Sequence, residues 1–118
     1  MMFSFEKLEA YRVAREFLAL TQVILDEMPR GVGDLRDQLA RASESVMLNC
    51  AEGAGRRTGK EKARFFDMAR GSAEECGAIM DALAIRRLAK AARCDAGRAL
   101  LLRAAALLAG LARSALER

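Results

Sequence analysis

The stretch Gln38-Leu39-Ala40-Arg41-Ala42-Ser43-Glu44-Ser45-Val46-Met47-Leu48-Asn49-Cys50-Ala51-Glu52-Gly53 carries two stripes at once. Leu39, Ala42, Val46 and Cys50 recur at steps of three and four, and so do Gln38, Arg41, Ser45, Asn49 and Glu52. A helix gathers residues at that spacing on one face. The first stripe is a core face. The second is unusual, because a solvated helix face normally carries Lys and Glu. Gln, Ser and Asn beside Ala42, Cys50 and Ala51 suit a close, hydrogen-bonded contact. Arg41 on a covered stripe would need a carboxylate, and Glu74 or Glu75 is the candidate. Such a network either fixes helix register within the chain or joins subunits; the stripe alone does not choose.

Helical spacing extends outward in both directions. Residues 4–28 read as a first helix, with Ser4 as N-cap and Pro29, Gly31 and Gly33 forming the turn after it. Asp34 is the expected cap of the second helix, which runs to Glu52. Thr58-Gly59-Lys60-Glu61 fits a capping box, in which Thr58 caps and Glu61 reaches back. It opens a third helix expected to run to about Arg93, with Phe65/Phe66, Ala69, Ser72/Ala73, Cys76, Ile79/Met80 and Leu83 on its buried face. Gly71 and Gly77 in that helix predict either a close helix approach or a kink. Asp95 is the expected cap of a fourth helix ending near Leu116. Short connections between helices make neighbours antiparallel. The expected fold is an all-α, antiparallel up-down-up-down four-helix bundle, one domain over residues 1–118.

Composition agrees with this. One proline, few aromatics and an abundance of Ala, Leu, Arg and Glu favour helix over strand. The net charge of +4 is unevenly spread. Residues 1–29 are acidic overall. Residues 86–118 are basic, with Arg86, Arg87, Lys90 and Arg93 at their start. A second basic cluster is Arg56, Arg57, Lys60, Lys62 and Arg64, relieved by Glu61. Basic clusters either attract phosphates or simply solvate a surface.

The chain has no histidine, which removes the commonest general base and metal ligand. Cys50, Cys76 and Cys94 have no paired spacing for a zinc site, and an odd count favours reduced thiols in a cytoplasm. No phosphate-loop order is present, and Glu74 and Glu75 lack partner groups for acid–base work. No catalytic residue, cofactor or metal is expected. Met1 to Lys7 lacks the apolar core of a secretory signal, and Arg103 and Arg113 interrupt residues 99–116 as a membrane span. The expectation is a cytoplasmic binding protein without a membrane partner.

Two blocks resemble a known family. One is Gln38-Leu39-x-Arg41-Ala42-x-x-Ser45-Val46-x-x-Asn49-x-Ala51-Glu52-Gly53 followed by Gly55-Arg56-Arg57. The other is Phe65-Phe66-x-x-Ala69-x-Gly71-Ser72-x-x-Glu75. They resemble the small helical proteins encoded within intervening sequences of 23S ribosomal RNA genes, a family that includes the accessory variability determinant proteins of diversity-generating retroelements. The resemblance implies a homopentameric ring. In the retroelement branch it implies a basic surface that binds RNA or DNA and a reverse transcriptase. It marks Gln38, Arg41, Ser45, Asn49, Glu52, Ser72 and Glu75 as structural positions and no residue as catalytic. Cys50 stands where the family usually has Ile, and Gly31-Val32-Gly33-Asp34 replaces a commoner Glu-containing turn. A basic surface would draw on Arg56, Arg57, Lys60, Arg86, Arg87, Lys90 and Arg93. The alternative expectation is a scaffold that binds a protein partner such as a polymerase and makes no nucleic-acid contact.

Overall fold

The computed structural model describes residues 1–117. A 3-10 turn, Ser4–Lys7, precedes four helices: α1 (Glu9–Glu27), α2 (Gly33–Gly55), α3 (Gly59–Ile85) and α4 (Ala91–Leu116). There is no strand among the described residues. Helix α1 packs on α2, α2 on α3, α3 on α4 and α4 back on α1, closing a ring of neighbours. All four helices feed one core, in which Phe17, Ile24, Leu39, Val46, Met80, Leu83 and Leu108 are fully buried. These are the apolar stripes of the sequence turned inward, and burying each Leu, Ile or Phe stabilises the fold by about 1.5–3 kcal/mol.

The helix boundaries depart from the expected ones where side chains set the ends differently. Ser4 opens the 3-10 turn and does not cap α1; the backbone is extended at Leu8, and α1 begins at Glu9. The Glu6 carboxylate accepts from the Phe3 backbone N–H at 3.0 Å and fixes this entry. Asp34 lies inside the first turn of α2 and Asp95 lies beyond the first turn of α4, so neither is a cap; the N-cap positions are Val32 and Lys90. Thr58 does cap α3, its Oγ1 accepting from the Glu61 N–H at 3.1 Å. The Glu61 carboxylate turns to Arg56 rather than reaching back, at 3.7 Å.

The largest difference is the end of α3, which stops at Ile85 and not near Arg93. Arg87 adopts a left-handed conformation at φ 57, and the Leu88 N–H reaches back to the Leu83 carbonyl at 2.9 Å. That is the bond pattern of a glycine-terminated helix made without glycine. The close helix approaches also sit elsewhere than expected. Gly71 and Gly77 have open space around them. A side chain at Gly53 would press on the Phe66 ring at 2.8 Å, and one at Gly59 would collide with the Ala115 carbonyl.

These contacts define two ends of the molecule. The α2–α3 turn lies with the amino-terminal turn and the carboxy end of α4, and Ser4, Ala54, Lys62, Phe66 and Ser114 line one cleft there. The α3–α4 turn lies with the carboxy end of α1, through Glu27 and Arg93. Helix α3 joins the two ends with 27 residues, so they stand about 40 Å apart.

Helix α4 is long and apolar enough, by length and composition, to cross a membrane; 28 % of its most apolar window is buried here. Its inner face, including Leu101, Ala104 and Leu108, belongs to the core, while Leu102 and Leu116 face outward.

Candidate nucleic-acid interface

The polar stripe of α2 divides into two parts. Its half-buried centre is satisfied within the chain. Ser45 Oγ and Ser72 Oγ are 2.8 Å apart across α2 and α3. Asn49 Nδ2 donates to Ser45 Oγ at 2.8 Å and to the Ser45 carbonyl at 3.1 Å. Three polar residues thus fix α2 against α3, which explains why small hydroxyls occupy a helix contact. The flanks are not covered. Gln38, Arg41 and Glu75 are exposed, and Glu74 pairs with Arg70 at 3.7 Å. No pair joins Arg41 to Glu74 or Glu75 among the described residues, because Arg41 points to water and needs no internal carboxylate.

At the α2–α3 end, Arg56 lies 3.0 Å from Glu52 and 3.7 Å from Glu61, with its guanidinium 4.5 Å from the centre of the Phe65 ring. Both anions and the ring hold Arg56 in place, so its charge is largely spent inside the turn. Lys62 Nζ donates to the Ala54 carbonyl at 2.9 Å, capping the carboxy end of α2, where its charge also opposes the helix dipole. Arg57, Lys60 and Arg64 are exposed with no carboxylate within ion-pair distance among the described residues. The sequence cluster is therefore real, but its most embedded member is not its most available one.

At the α3–α4 end, Glu27 gathers two of the expected cations. Arg93 donates to both its oxygens, at 3.1 and 3.0 Å, and Lys90 reaches it at 3.5 Å. The Arg93 bond, supported by the charges of Arg93 and Lys90, holds the Glu27 carboxyl below its ordinary range and raises Arg93. Arg86 and Arg87 remain exposed and unpaired among the described residues, as does Arg30. The Arg36 guanidinium caps α1 through the Leu25 carbonyl at 2.6 Å.

The seven expected basic residues thus form two groups at opposite ends. Arg56, Lys90 and Arg93 are engaged by carboxylates; Arg57, Lys60, Arg86 and Arg87 are free. Glu27, which ties down two of these cations, was not legible in the sequence, and neither was the inward, helix-capping role of Lys62. Glu27 lies more than sixty positions from its partners, and no local pattern joins them.

No other chemistry gathers on the surface. Among the described residues no three Cys, Asp or Glu side chains converge as metal ligands. Burial pushes the Cys50 and Cys76 thiols up to about 12, and raises Cys94 as well, so all three are poor nucleophiles. A shallow groove between α3 and α4 is lined by Ala73, Gly77, Ala78, Leu101, Leu102 and Ala105, with Glu74, Asp81 and Arg98 at its rim. Ile85, Leu102 and Leu116 are exposed apolar residues of the same two helices.

The family model for the 23S rRNA-intervening sequence protein matches residues 6–110. No curated protein matches the chain.

Proposed function

We propose that this chain, which belongs to the 23S rRNA-intervening sequence protein family, is a non-enzymatic, oligomeric accessory protein that binds nucleic acid through its basic ends. The observation that carries this reading is the set of exposed cations without carboxylate partners: Arg57, Lys60 and Arg64 at one end, Arg30, Arg86 and Arg87 at the other. Free cations release the counterions of a phosphate chain, whereas paired ones do not. In this reading the chain is a single antiparallel up-down-up-down domain working in the cytoplasm. Contacts such as Ser45 with Ser72, Gly53 with Phe66 and Asp81 with Arg98 support the antiparallel order.

Self-assembly belongs to the same proposal. The exposed apolar residues on α3 and α4 and the open flanks Gln38, Arg41 and Glu75 supply surface for it. A homopentamer would carry about +20 from five chains of +4, a strong attraction for phosphate. Fluorescence anisotropy with RNA and DNA at low and moderate salt tests the binding, which should weaken steeply with salt. No binding at low salt ends the proposal. Light scattering measures the oligomer mass.

The α3–α4 groove favours a second reading, a scaffold for a protein partner such as a reverse transcriptase, in keeping with a relation to retroelement accessory proteins. That association would be insensitive to salt and would leave the free cations without a nucleic-acid ligand.

A further inference from the structure

The two basic ends are alike in free charge and unlike in aromatic content. The chain has six aromatic residues: Phe3, Phe5, Tyr11, Phe17, Phe65 and Phe66. None lies in residues 18–64 or beyond Phe66, so the α3–α4 end has none at all. Phe17 is in the core, and the other five gather toward the α2–α3 end.

Three of them form a short ladder. Phe5 lies 4.6 Å from Tyr11, tilted, and Phe3 stacks on Phe5 at 5.3 Å with the rings within 10° of parallel. The Phe3 backbone is held by Glu6, so the outermost ring is oriented by both its neighbour and its own amide. Phe3 is nevertheless 70 % exposed. Its ring is covered by Phe5 on one side and extends the ladder toward water on the other. Ser4, next in sequence, lines the same cleft as Ala54 and Lys62, which puts the ladder at the end of the molecule whose turn bears Arg57 and Lys60. A pre-oriented aromatic ring beside free cations is the pairing that unpaired bases recognise: the ring stacks on a base and the cations hold the phosphates on either side. Bases in a duplex are already stacked on each other and offer no such face.

We propose that the α2–α3 end binds single-stranded nucleic acid, with Phe3 stacking on an unpaired base while Arg57, Lys60 and Arg64 hold the flanking phosphates. This rests on the reading that the protein binds nucleic acid, and it assigns the end, the strand state and the residue that meets the base.

The test is fluorescence anisotropy at about 50 mM salt, using a labelled single strand and an abasic strand of equal length. The two strands carry the same phosphates and differ only in bases. The intact strand should bind the wild type roughly tenfold more tightly, the scale of one stacked base. Phe3→Ala should erase that difference while leaving the abasic strand's affinity and the helical circular dichroism unchanged. Phe3→Trp should keep it. Equal binding of intact and abasic strands by the wild type overturns the inference while leaving electrostatic binding intact. So does a difference that survives Phe3→Ala. If neither strand binds, the underlying function fails as well.

Discussion

At the α2–α3 end, Arg56 is held by Glu52, Glu61 and the Phe65 ring, and Lys62 is drawn inward to cap a helix. At the α3–α4 end, one carboxylate, Glu27, gathers Lys90 from the cap of α4 and Arg93 from its first turn. Both ends use some of their cations as structural ties and leave others free. Cations counted along a sequence therefore overstate the charge a surface can offer. They also say nothing of where that charge sits, since two clusters about thirty residues apart in sequence stand at opposite poles of the molecule. The ends differ in what surrounds the free charge, which is aromatic at one and aliphatic at the other.

The strongest challenge to this comparison is in the packing. Phe66 is buried beneath Gly53 and supports the α2–α3 end. Phe66→Ala should cost about 3–5 kcal/mol in chemical denaturation. Leu88→Ala, a half-buried residue at the opposite turn, should cost nearer 1 kcal/mol. Equal losses would mean the two ends are equally built. Charge removal comes next. Replacing Arg57 and Lys60 with Ala should lower the slope of log affinity against log salt by about 1.4 for a single strand. The Arg86→Ala, Arg87→Ala pair should change it less, and the reverse ranking would move the interface to the other end.

Glu27 separates the ends by pH. Its carboxyl is held below the ordinary 4.5, so it contributes stability above that value and loses it as pH falls through the lower folded value. Glu27→Gln should lower the melting temperature at neutral pH, and the gap from wild type should close as pH falls below 4.5 and through the lowered folded value. A gap that persists there would show that Glu27 acts by packing alone. The same substitution frees Lys90 and Arg93 and should raise affinity for intact and abasic strands alike, because both carry the same phosphates. The smallest effect concerns the thiols. Cys50, Cys76 and Cys94 should react with a thiol reagent far more slowly in the folded protein than in denaturant. Rapid labelling of Cys94, near the start of α4, would reveal an opening at that end that Glu27 does not prevent.

Much of the fold was legible in the sequence because helical spacing reports burial directly. Leu39, Ala42, Val46 and Cys50 are buried as their spacing requires, and Thr58 caps α3 as its chemistry requires. What was not legible depends on long-range partners or on exceptions to residue preference. Arg87 ends α3 in a conformation that usually marks a glycine, so nothing in residues 83–93 announced a turn. Phe5 is expected inside a first helix capped at Ser4; instead the extended backbone at Leu8 leaves Phe3 and Phe5 as a ladder on Tyr11. The stripe from Gln38 to Glu52 foretold a polar helix contact, and Ser45, Asn49 and Ser72 make one. Its charged flanks remained in solvent because a period of three and four identifies a face and not what covers it.

Arg87 has a wider consequence. A side chain at φ 57 costs about 1 kcal/mol relative to glycine. Glycine at this position would make the turn easier to form and would remove one cation from the tip of the molecule. Position 87 is thus a dial on which rigidity and charge move in opposite directions. Relatives that differ there should trade heat tolerance against attraction for anions without altering a single core residue.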